Sequence, residues 1–162
     1  MYPDDIMALA TNVLKKARDG KHLIAVAESC TGGLVSGALT AIDGSSAVFD
    51  CGFTTYSYKA KSSLLGVPQG MLVEHGAVSE QVALLMAEGA LSASNADIAV
   101  AITGIAGPGG GTDEKPVGLV CFAVARIGFK TKTKECLFEN TGRDSIRMES
   151  VKQALSMLES SL

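Results

Sequence analysis

The sequence predicts an α/β protein, a three-layer α/β/α sandwich on a mixed, mostly parallel sheet. Three observations lead there. Buried-looking apolar runs, Leu23-Ile24-Ala25-Val26-Ala27 and Ala96-Asp97-Ile98-Ala99-Val100-Ala101-Ile102, alternate with stretches of helical apolar spacing, the order in which parallel sheets are built. Two later strand-like runs, 117–125 and 131–138, meet across Ile127-Gly128, so an antiparallel pair is expected at the end of the sheet. The chain has 162 residues, 47% hydrophobic and 19% charged, enough for one domain over 1–162 to bury about 70% of its unfolded surface.

Taken in order, Asp4 is placed to cap a first helix over Ile6, Leu9, Ala10, Val13, Leu14 and Ala17, ending at Asp19-Gly20. Residues 22–28 read as a strand, 32–42 as a helix and Asp43-Gly44-Ser45-Ser46 as a turn. A second strand spans 48–56, followed by a short helix at 59–65 that Gly66 and Pro68 close. Ser79-Glu80-Gln81 caps a long helix with Val82, Leu85, Met86, Gly89 and Ala90 on one face, small enough for close packing on the sheet. The third strand, 96–102, leads into a glycine-rich loop, the antiparallel pair follows, and a last helix runs over 144–158 with Ile146, Val151, Ala154, Leu155 and Leu158 inward. No repeat or linker interrupts the pattern.

Several functional classes are disfavoured. The net charge of −3, with lysines and arginines scattered, gives no nucleic-acid footprint; Lys130, Lys132 and Lys134 alternate along a strand as a solvated face. No apolar run is long enough to cross a bilayer, and the acidic start Met1-Tyr2-Pro3-Asp4-Asp5 does not resemble a signal peptide, so a cytoplasmic location is expected. Cys30, Cys51, Cys121 and Cys136 lie far apart and are expected as reduced, mostly buried thiols. With only His22 and His75 beside them, no metal site and no cofactor are expected.

The chemistry concentrates at strand ends. In Ala27-Glu28-Ser29-Cys30-Thr31-Gly32-Gly33 a strand runs into hydroxyls and two glycines that open a helix, which lifts Ser29 to the carboxyl edge of the sheet and turns backbone N–H groups outward; a plain helix cap is the competing reading. A serine nucleophile needs a base and oxyanion donors. His22 stands at the wrong end of its strand and His75 in a turn, which leaves a lysine of lowered pKa. Lys61 lies just past the strand that Tyr56 ends, so Ser29, Tyr56 and Lys61 form a candidate constellation, with Lys59 on a different helical face. The loop around Thr103, Gly104 and Gly107 fits neither a P-loop nor a dinucleotide fingerprint, yet its glycines allow close approach to a phosphate or ribose; an ordinary loop is the alternative. Arg143 and Arg147, one helical turn apart, can grip a phosphate or form a structural ion pair.

Together the segments AESCTGG, GSSAVFDCGFTTYS, AK…LLGV, HGAVSE, MAEGAL, ADIAVAITGIAGPGGGTDEKPVG and the closing helix resemble the C-terminal domain of the CinA (competence/damage-inducible) proteins, the nicotinamide-nucleotide amidohydrolase family. The resemblance spans nearly the whole chain. It implies an anticodon-binding-domain-like sandwich, a homodimer without metal, and hydrolysis of the carboxamide of nicotinamide mononucleotide to nicotinate mononucleotide and ammonia. It implies Ser29 as nucleophile, Lys61 as general base and Tyr56 as its assistant, and it implies a stand-alone form, since many members carry an N-terminal domain before this one. Two departures stand out: Tyr58-Lys59 where the family has Asn-Glu, which puts a second cation near Lys61, and Thr141-Gly142-Arg143 where it has Gly-Asp-Arg.

The mechanism so implied is acyl transfer. Lys61 takes the Ser29 proton, Tyr56 relays or orients, and N–H groups at Cys30, Thr31, Gly32 and Gly33 hold the oxyanion. The glycine-rich loop, with Arg143 or Arg147, binds the ribose phosphate. Cys30 is the rival nucleophile. A silent nucleotide- or protein-binding module is the alternative function.

Overall fold

In the computed structural model, which describes residues 2–162, the strands β1 (Ile24–Glu28), β2 (Phe49–Thr54), β3 (Ile98–Gly104), β4 (Leu119–Arg126) and β5 (Lys132–Leu137) form one sheet in the order β2-β1-β3-β4-β5. β1 pairs parallel with β2 and β3, and β4 pairs antiparallel with β3 and β5. Four strands therefore point the same way and β4 alone is reversed, giving the mixed, mostly parallel sheet expected.

The strands alternate large and small residues, and this alternation sorts the layers. Ile24, Val26, Ile98, Val100, Ile102, Val120 and Phe122 face α1 (Asp4–Gly20), α2 (Leu34–Thr40) and α6 (Arg143–Ser161). The opposite face is nearly all alanine: Ala25, Ala27, Ala99, Ala101, Ala123 and Ala125, with Cys121. Against it lie α3 (Tyr58–Leu65), α4 (Gln69–His75) and α5 (Glu80–Ser92), α5 contributing Val82, Ala83, Met86, Ala87 and Ala90. The alanine face lets α5 settle close to the strands.

Local corrections are few. Pro3, not Asp4, is the N-cap of α1, with Asp4 and Asp5 in its first turn, where acidic side chains complement the helix dipole. Ser57 caps α3 by accepting from Ala60 N, and Ser79 caps α5 by accepting from Val82 N. His75 ends the unforeseen helix α4 rather than sitting in a turn. Gly89 serves a helix contact and not the sheet: a Cβ there would sit 2.0 Å from the carbonyl oxygen of Leu65. Among the described residues no helix is long and apolar enough to cross a membrane.

Candidate active site

β1, β2 and β3 all deliver their carboxyl ends to one edge of the sheet. β1 is followed by α2 on one face, whereas β2 is followed by α3 on the other, so the connections diverge there and leave a crevice. Past the last residue of β1 the ladders continue one step on each side, with Thr55 N donating to Glu28 O (2.8 Å) and Ser29 N to Ile102 O (3.0 Å). Ser29 is thus carried on rigid backbone to the crevice floor.

Lys61 reaches it from α3. Its Nζ lies 2.9 Å from Ser29 Oγ and 2.7 Å from the carbonyl oxygen of Thr55, and the residue is wholly buried. Burial, which disfavours the charged ammonium, pulls its pKa down to about 8, against a weaker opposing influence of Cys30. About a tenth of the molecules then carry a neutral amine at pH 7, where an unperturbed lysine would offer almost none. Lys59 has no part in this. It is exposed, and the lowering comes from desolvation, so the second cation expected from the sequence does not tune Lys61.

The turn after Ser29 is built around Glu28, a wholly buried carboxylate unnoticed in the sequence. One oxygen accepts from Gly33 N (3.0 Å) and Val35 N (3.1 Å), the other from Ser36 N (2.9 Å) and Ser36 Oγ (2.8 Å). The first N–H groups of α2 are therefore aimed at Glu28 and not at a ligand, contrary to expectation. Gly32 N donates to Ser29 O (3.1 Å), so of the four N–H groups expected to face an oxyanion, only those of Cys30 and Thr31 have no acceptor. A lone glutamate inside an apolar strand was the signal that would have revealed this.

Arg147 belongs to the same framework. Its guanidinium donates to the carbonyl oxygens of Cys30 (3.2 Å) and Thr31 (3.0 Å) and sits 3.8 Å from Asp144. These contacts turn it toward the turn after Ser29, away from the phosphate grip expected of it. Arg143 is different: it lines the crevice and donates to Gly107 O (2.7 Å) and to the hydroxyl of Tyr56 (3.3 Å). Tyr56 stands at the rim, 64% exposed, and its hydroxyl bonds Arg143 rather than Ser29 or Lys61.

The crevice, about 240 Å³, is lined by Ser29, Cys30 and Tyr56 on the floor and rim, Ala77 and Val78 on one wall, and Thr103, Gly104, Gly107 and the rest of the glycine-rich loop on another. Neither Thr31, Gly32, Gly33 nor Arg147 lines it. Burial pushes the Cys30 thiol up to about 11, which suppresses the thiolate a cysteine nucleophile would need. Neither histidine lines the crevice: His22 bonds Arg126, and the His75 ring lies 3.7 Å from Glu74. No group of three or more His, Cys, Asp or Glu residues is arranged to hold a metal among the described residues.

Residues 6–162 match the family model of the CinA C-terminal domain. The chain belongs to this family. Among solved structures, the competence/damage inducible protein CihA from Agrobacterium tumefaciens superimposes on this CinA-type domain with a TM-score of 0.97 at 49% identity, over 99% of this chain and 97% of that one. A CinA-like protein of Synechococcus sp. (strain CC9902) is 48% identical over 97% of the chain, but the chain spans only 38% of that relative's length. The nicotinamide-nucleotide amidohydrolase PncC of Escherichia coli (strain K12) is 45% identical over 98% of this chain and 95% of its own.

Proposed function

We propose that the protein is an amidase that hydrolyses the carboxamide of nicotinamide mononucleotide, with Ser29 as nucleophile and Lys61 as general base. The observation that carries this reading is the buried 2.9 Å contact between Lys61 Nζ and Ser29 Oγ, with Lys61 close enough to neutral to accept a proton. The PncC relative supplies the substrate class.

In the proposed reaction neutral Lys61 takes the hydroxyl proton as Ser29 Oγ bonds the carboxamide carbon. The carbonyl π electrons move onto oxygen, for which the N–H of Cys30, without an acceptor and on a residue that lines the crevice, is the donor. Collapse of this intermediate expels the amine, which leaves as ammonia with the proton from Lys61. Water, deprotonated by Lys61, then cleaves the acyl-serine ester and returns the serine hydroxyl. The Thr55 carbonyl keeps Nζ aimed throughout. Arg143, exposed at the rim, is the group for the substrate phosphate, and Tyr56 acts with it on substrate orientation in place of the proton relay first considered.

The test is ammonia release by purified protein from nicotinamide mononucleotide and from free nicotinamide. Turnover of the nucleotide, at least about a hundredfold preferred, is expected, since remote phosphate binding energy orients the ring. Ser29→Ala should abolish it while the nucleotide still binds. Binding without turnover in the wild type would support the silent-module alternative, and loss through Cys30→Ala alone would transfer the nucleophile to Cys30.

A further inference from the structure

Two walls of the crevice are separate stretches of chain, the glycine-rich loop and the junction between α4 and α5. One side chain that lines neither wall ties them together. Lys115 leaves the far limb of the loop, where a turn holds its backbone: Thr112 N donates to Lys115 O (2.8 Å) and Lys115 N to Thr112 Oγ1 (3.0 Å). Its ammonium crosses to the junction and donates to the carbonyl oxygens of His75 and Val78, the latter at 2.7 Å.

The junction is shaped to receive it. The His75 carbonyl is one of the unpaired acceptors at the end of α4, where a cation is favoured. Gly76, between the two acceptors, runs at φ +73°, and a Cβ on it would lie 3.1 Å from Lys115 Nζ. The glycine both permits the backbone path and clears room for the ammonium. Ala77 is fixed from two further directions, its N–H donating to the Tyr58 hydroxyl (3.2 Å) and its carbonyl accepting from Thr103 Oγ1 (2.8 Å). Behind the wall, Glu74, Glu80, Glu114 and Glu135 line the same cleft as Lys115, so the clasp has acidic neighbours on its outer side.

We propose that Lys115 is a positioning residue that sets the width of the crevice, clasping the Ala77 and Val78 wall to the glycine-rich loop so that a flat heteroaromatic amide is held against Ser29. The inference rests on the amidase reading for its substrate, but the clasp itself does not. Without Lys115 the two walls would share only the Thr103 bond to Ala77, and ring binding would weaken while the Ser29–Lys61 pair stayed intact.

The experiment compares wild type, Lys115→Met and Lys115→Arg in the full chain. Lys115→Met should raise KM for nicotinamide mononucleotide about tenfold, roughly the loss of one charge-assisted bond, with kcat within about twofold. The acidic limb of the rate profile should stay in place. Lys115→Arg should recover most of the KM, because a guanidinium can also span two carbonyls. Amide hydrogen exchange needs no substrate: residues 76–79 and 105–118 should exchange at least about tenfold faster in Lys115→Met, with α6 unchanged. Should Lys115→Met fail to fold, Lys115→Gln, able to reach only one carbonyl at a time, takes its place with a smaller rise expected. Unchanged exchange would overturn the clasp. Faster exchange with an unchanged KM, or a fall in kcat with a shifted acidic limb, would overturn the positioning role. If the wild type does not turn the nucleotide over, the amidase reading fails by itself and the exchange comparison alone decides the clasp.

Discussion

Lys61 is the residue on which the proposed chemistry turns, and its burial has consequences for both rate and stability. With a pKa of about 8, the amine is mostly protonated at pH 6, so the rate should fall about tenfold per pH unit below that value. Lys61→Arg should be as inactive as Lys61→Ala, since guanidinium cannot release its proton. Lys59→Glu should leave the acidic limb where it is, because desolvation and not a neighbouring cation sets it. The folded value also lies below the 10.5 of the free side chain, so between about pH 8 and 10.5 the unfolded chain holds more protons. Stability should therefore rise with pH across that window, and at neutral pH the buried charge costs on the order of 3 kcal/mol at 1.36 kcal/mol per pKa unit. Lys61→Met, though inactive, should be more stable than wild type at pH 7 by about 1–3 kcal/mol, the loss of its hydrogen bonds offsetting part of the gain. It should also lose the rise between pH 8 and 10.5. Urea unfolding at pH 7 and pH 10 checks both; a less stable, still pH-dependent variant would mean that another group carries the charge effect.

Among the elements, α3 has the most demanding placement, since it must deliver Lys61 to the end of β1. Its last turn is set against α5 through bare backbone at Gly89, where a Cβ would meet the Leu65 carbonyl at 2.0 Å. Gly89→Ala improves intrinsic helix propensity, yet the clash is with backbone that cannot rotate away. A net loss of about 1–3 kcal/mol is expected, with reduced turnover as Lys61 is displaced, measured by denaturant midpoint and ammonia release. The sequence made α3 legible through Gly66 and Pro68, which close it after Leu65, and the positions of the strand ends made Ser29 and Lys61 candidates for one site, whereas the Ser57 cap went unread. It did not make α4 legible: Gln69–His75 contains Gly70, buries only Leu72 and lies between Pro68 and Gly76, so neither periodicity nor propensity marks it. Glu28 and Lys115 escaped, and the contacts of Arg147 to the turn after Ser29 were not foreseen, for another reason. Arg147 and Lys115 donate to backbone carbonyls of distant segments, which come within reach only once the sheet edge has formed, and Glu28 accepts N–H groups that the turn into α2 brings round to it.

At the scale of the whole molecule, the layers follow from the alternation of large and alanine side chains along β1, β3 and β4, which was present in the sequence as a period of two inside runs that look uniformly apolar. The sheet ends, on the β5 side, in an open strand with Lys132, Thr133, Lys134 and Glu135 all exposed and Lys130 beside it. A row of unpaired N–H and C=O groups invites another strand, and cations along it are a recurrent way of refusing one. Two copies meeting at this edge would oppose ammonium groups, a repulsion that salt screens over a Debye length of about 10 Å at 0.1 M. Colloidal behaviour should follow. Replacing Lys130, Lys132 and Lys134 together by threonine should leave ammonia release by the dispersed protein unchanged yet produce β-rich aggregates at concentrations where the wild type stays dispersed, as light scattering and thioflavin binding would register. A variant as dispersed as the wild type would show that the edge is guarded by something other than charge. If the aggregates form, the lysines of this edge, remote from the crevice, are the shield that keeps concentrated protein from growing by strand addition, with an effect that fades as ionic strength rises.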